Sequence, residues 1–98
     1  MNAAPSLHPY ELHPQGGGFT VFVVAGEAVG LPLIQLGKAT LRGEGGLRMG
    51  FEFGCALVVV EGDGLAELFA HVLAGRVKTV RPGAHGGCVV RVVQVAES

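Results

Sequence analysis

The sequence predicts an α+β domain: a mainly antiparallel, curved sheet of about five strands with one helix, residues 65–74, packed on one face. Three observations predict it. Residues 47–54 alternate apolar and non-apolar, residues 65–73 carry an apolar stripe at helical spacing, and valine-rich runs are set between glycine clusters. A small barrel-like β domain with one helix is the alternative, reached if the sheet closes on itself.

Residues 1–18 hold Pro5, Pro9, Pro14 and the triplet Gly16, Gly17 and Gly18, which deny a regular helix and disfavour a packed strand. They read as an extended N-terminal arm whose Leu7, Tyr10 and Leu12 can dock on the body or on a neighbouring subunit. Residues 19–98 then make one domain. Residues 19–25, FTVFVVA, are β-branched and aromatic on both parities, as expected of a strand covered on both sides. Residues 26–30 are a loop. Residues 33–42 predict a second strand with a bulge at Gly37, because the apolar parity slips there.

Gly43, Glu44, Gly45 and Gly46 suit a hairpin loop. On the returning strand Leu47, Met49, Phe51 and Phe53 face inward, while Arg48, Gly50, Glu52 and Gly54 leave an open face with bare backbone. The apolar run from Cys55 to Val60 is expected to continue that strand into the interior. Asp63 or Gly64 can cap the next helix, with Glu67 in its first turn. Leu65, Leu68, Phe69, Val72 and Leu73 form its stripe, and Gly75 is placed to end it. Residues 76–81 make a short strand closed by Pro82 and Gly83. Residues 88–95 make a last strand, valine-rich on both faces and the expected subunit contact.

A chain of 98 residues is near the usual size of one domain. It is 49% apolar and only 15% charged, against an ordinary charged share of about 25%, so polar side chains are scarce as surface cover. A homo-oligomer, dimer or larger, is the expected remedy. The net charge of −1 offers no broad attraction to nucleic acid or anionic lipid. No apolar run reaches the roughly 20 residues of a membrane helix, and the opening residues lack the pattern of a signal peptide, so a cytoplasmic protein without membrane association is expected. Cys55 and Cys88, far apart in strand-like surroundings, are expected as buried thiols.

Chemistry is sparse. Ser6 and Ser98 sit at the termini, the cysteines carry no nucleophile signature, and Asp63 is explained as a turn and cap residue. His8, His13, His71 and His85 lack paired zinc spacings, so neither a metal nor a cofactor is expected. Gly62-Asp63-Gly64 resembles the start of a phosphate-binding turn, but Glu67 occupies the third glycine position and would repel a phosphate. Lys38, Arg42 and Arg48 form the best basic cluster, interleaved with glycine and opposed by Glu44 and Glu52.

Three function classes stay open, and with them the question of enzyme activity. The first is a non-catalytic, self-associating interaction module, presenting the arm or the glycine-marked strand face to a protein partner. The second is a nucleic-acid-binding module using Lys38, Arg42 and Arg48. The third is a small enzyme or ligand carrier with a pocket between subunits involving Glu52, Glu61, His71 or His85.

Overall fold

The computed structural model describes residues 8–97. In chain order the elements are β1 (Tyr10–Leu12), β2 (Phe19–Val24), β3 (Glu27–Pro32), a 3₁₀ turn (Leu33–Gln35), β4 (Leu36–Arg42), β5 (Arg48–Phe53), β6 (Ala56–Asp63), α1 (Ala66–Leu73), β7 (Val77–Val80), β8 (Gly83–His85) and β9 (Cys88–Glu97). This is the α+β class the sequence predicts. A five-stranded antiparallel sheet runs β4-β5-β6-β9-β8, and a second sheet, unexpected from sequence, runs β1-β7-β2-β3. Its only parallel pair among the described residues is β2 with β7.

Several elements differ from expectation for physical reasons. Residues 26–30 are not a loop, since Ala25 and Gly26 alone make the turn, at φ 49° and 83°, and β3 returns along β2 at once. Two successive positive φ values give the tight reversal whose twist suits a two-residue hairpin. The apolar run after Phe53 does not prolong β5. The chain reverses at Gly54 and Cys55, and Ala56 pairs back with Phe53. An unbroken apolar run reports burial and is silent on reversal. Within the arm, Tyr10 to Leu12 form a strand on β7 despite the flanking prolines, because Arg81 donates its backbone N–H to the Pro9 carbonyl. The first seven residues of the arm lie outside the described residues.

The slip at Gly37 is real, for the β4–β5 register skips between Leu36 and Ala39. The helix start differs from expectation. No side chain among the described residues caps α1; instead the Leu65 and Ala66 N–H groups donate to the carbonyls of Gly46 and Gly45, at 3.0 and 3.3 Å, in the loop after β4. Asp63 pairs with Arg91 on β9. Gly62 is required by steric approach, since a Cβ there would stand 1.8 Å from the Val89 carbonyl oxygen. It lies where the β6–β9 register shifts, so bare backbone is what lets β9 pass.

The core sits between the two sheets and α1. Phe22 of β2, Met49, Phe51 and Phe53 of β5, Val58 and Val60 of β6, and Leu68 and Val72 of α1 are buried together. Phe22 meets Phe53 edge-on at 5.8 Å, which joins the sheets, and Phe51 stacks on Phe69 at 5.7 Å, which seats the helix. Thr20 is the buried polar residue here, and its hydroxyl donates to the Val77 carbonyl at 2.8 Å. Among the described residues no helix is long and apolar enough to cross a membrane.

Candidate functional site

The alternation that buries Met49, Phe51 and Phe53 turns Arg48, Gly50 and Glu52 to the opposite face of the five-stranded sheet. Register aligns Arg42 with Arg48, Thr40 with Gly50, Gly50 with Val59, Glu52 with Leu57, and Arg48 with Glu61. Two adjoining depressions follow, one of about 310 Å³ bounded by Arg42, Arg48 and Val59, the other of about 170 Å³ bounded by Lys38 and Glu52. They share Thr40, Arg42, Gly50 and Leu57, so they form one shallow groove across three strands.

Gly50 makes the groove. A Cβ there would stand 3.1 Å from the Thr40 hydroxyl oxygen, so any larger residue would fill the floor and crowd that hydroxyl. Leu57, 47% exposed, gives one apolar wall. The cations are unevenly satisfied. Arg48 reaches Glu61 at 3.5 Å, whereas Arg42, its directly opposed neighbour, and Lys38 form no ion pair among the described residues. Like charges directly opposite on neighbouring strands destabilise a sheet unless something negative lies between them.

All three predicted basic residues therefore share one face, and Glu52 and Glu61 lie with them. His71 and His85 do not. His85 lies with its ring centroid 4.3 Å from that of His8, and His71 is 5.9 Å from Tyr10, whose other ring neighbour is His8 at 5.4 Å. Within one chain the four residues expected of an inter-subunit pocket divide between the groove and this ring cluster.

The ring cluster docks the arm. Arg81 fixes it, one guanidinium nitrogen donating to the His8 carbonyl at 3.0 Å and the other meeting the Glu11 carboxylate at 2.8 Å. That hydrogen bond and charge hold the Glu11 carboxyl below its ordinary range. Burial, with the charges of Glu67 and Cys88, pushes the Tyr10 hydroxyl up. Burial and then Glu67 push up the Cys88 thiol, which disfavours its nucleophilic thiolate form. Cys88 is buried as expected, but Cys55 is exposed in the β5–β6 turn. Among the described residues no cluster of three or more His, Cys, Asp or Glu side chains is arranged to hold a metal.

Four histidines stand out in the sequence, but the gathering of three of them, His8, His71 and His85, around Tyr10 does not. The available signal was the pair His8 and Tyr10, one strand period apart and so on one face. Comparison with known proteins finds no matching family model, no matching curated protein and no matching solved structure.

Proposed function

We propose that this chain is a non-catalytic, self-associating interaction module whose groove on the five-stranded sheet receives an extended acidic segment of a protein partner. One observation carries the partner site: Arg42 stands opposite Arg48 beside the bare floor of Gly50. A carboxylate placed between two guanidinium groups relieves their repulsion and accepts paired N–H donors from each. Leu57 and Val59 along the same groove favour apolar residues alternating with those carboxylates, the pattern of an extended peptide.

Nucleic acid fits this groove less well. No aromatic side chain among the described residues lines it for base stacking. The test is binding of a labelled peptide of alternating glutamate and leucine, compared with an oligothymidylate of similar length, to the native chain and to the triple reversal Lys38→Glu, Arg42→Glu, Arg48→Glu. Salt-sensitive peptide binding that the reversal abolishes is the expected result. Peptide binding that survives the reversal overturns the groove assignment, and tighter binding of the oligothymidylate replaces the protein partner with nucleic acid.

A further inference from the structure

We propose that two copies of this chain join through β3, edge to edge and antiparallel, about a two-fold axis at Val29. The inference deepens the self-association half of the reading above and is independent of the groove.

Sheet edges in soluble proteins are usually short, bulged or charged, because an open ladder invites another strand. Most edges of this molecule follow that rule. β1 and β8 have three residues each. β4 is bulged after Leu36 and carries Lys38 and Arg42. The part of β9 that extends past β8 carries Arg91 and Glu97. β3 does not follow it. Its six residues keep unbroken register with β2, their one charge is Glu27 at the first position, and Pro32 closes the far end.

Backbone geometry fixes how a second strand would pair. Val24 and Glu27 close a two-residue turn as a hydrogen-bonded pair, so Glu27, Val29 and Leu31 bond to β2. Ala28 and Gly30 then direct their N–H and C=O groups outward. A two-fold axis at Val29 sets Ala28 against Gly30 of the second copy and Gly30 against its Ala28, two small residues at each crossing. Glu27 falls opposite an apolar Leu31, so no like charges meet. A basic partner strand would find Glu27 and, in the depression beside the edge, Glu97; a second β3 sets Leu31 against Glu27 and needs no counter-charge.

The surroundings suit that occupant. Beside the edge lies a depression of about 620 Å³ lined by Val24, Val29 and Val95 together with Glu27 and Glu97. On the outer face Phe19 is 56% exposed and, with Val21 and Val23, is the uncovered parity of a strand whose sequence is apolar on both. Gly30 leaves that face low, since a Cβ there would meet only Val21 and Phe19 atoms at 3.9 and 4.0 Å. Joining two β3 strands makes one continuous eight-stranded sheet and brings both apolar faces onto the same side.

The test is sedimentation equilibrium of the full chain and of the separate variants Ala28→Pro and Gly30→Pro. Each proline removes one outward N–H per copy and leaves the β2 ladder intact. We expect a dimer in the native chain and at least about tenfold weaker dimerisation in each folded variant, the loss of roughly 1.4 kcal/mol in hydrogen bonding across two symmetric sites. Should the prolines prevent folding, Val29→Cys in a Cys55→Ser background supplies the second measurement. Val29 meets itself across the axis as a non-hydrogen-bonded pair at about 4.5 Å between Cα atoms, close enough for a disulfide once both copies carry the substitution. Oxidation should therefore trap a covalent dimer. A native chain that stays monomeric overturns self-association altogether. A dimer indifferent to both prolines, or one that oxidation of the Val29→Cys variant fails to trap, overturns this seam and leaves self-association standing.

Discussion

The two sheets share one core and turn different faces to solvent. The five-stranded sheet shows a groove rimmed by Lys38, Arg42, Arg48, Glu52 and Glu61, while the four-stranded sheet shows Phe19, Val21 and Val23 beside the bare backbone of Gly30. Inward packing is alike in both, since Phe22 of one meets Phe53 of the other. The difference lies in the residues the core does not constrain. A charged face stays solvated until a ligand of opposite sign replaces water, whereas an apolar face gains from any cover, which is why we propose a selective partner for one and a second copy for the other.

Substitutions that act on one sheet alone sharpen this contrast. The largest effect is expected from Gly62→Ala in the five-stranded sheet, because the new methyl would collide with the backbone oxygen of Val89 and no side chain can yield. A loss of at least about 3 kcal/mol in urea denaturation is expected, with most of the chain unfolded at equilibrium if the native margin is small. Survival with an unchanged midpoint would show that β9 can move away from β6.

In the four-stranded sheet, Thr20→Val keeps the shape but removes the donor to the Val77 carbonyl. The expected cost is about 1–2 kcal/mol, read from the same denaturation curves. Because Thr20 and Val77 lie where β2 approaches β7, faster amide exchange should concentrate in those strands and spare β5 and β6; a uniform change would mean the sheets open together.

The smallest effect belongs to the arm. Arg81 lowers the Glu11 carboxyl below its unfolded value, so the stabilisation is complete above the ordinary carboxylate range and is lost as pH falls through the folded value. Amide exchange in β1 should therefore quicken on acidification below that range, and Glu11→Gln should remove this pH dependence while leaving the global unfolding midpoint unchanged. Equal acid sensitivity in the variant would assign the effect to another group.

Local pattern made part of this fold legible. Alternation placed Met49, Phe51 and Phe53 inward, and the helical stripe placed Leu68 and Val72 against them, because both periods follow from the geometry of a single segment; at the ends of the two patterns Leu47 and Leu73, expected inward, are exposed. The slip at Gly37 was visible for the same reason. The reversal at Gly54 and the pairing of Tyr10 to Leu12 with β7 were not, since a run of apolar residues gives no account of where its neighbour comes from. At the candidate site the shared face of Lys38, Arg42 and Arg48 followed from parity, while the separation of His71 and His85 from Glu52 and Glu61 depended on which elements meet in space.

By itself the sequence determined the fold class, the inward face of β5 and the helix, all consequences of composition and short-range periodicity. Only the tertiary structure decided that there are two sheets, that Gly62 and Gly64 serve the close passage of β9 and its hairpin, and that β3 is left as an unprotected edge. Those features depend on pairing between segments distant in the chain, and the hydrogen bonds that create them come from backbone groups that every residue but proline offers alike.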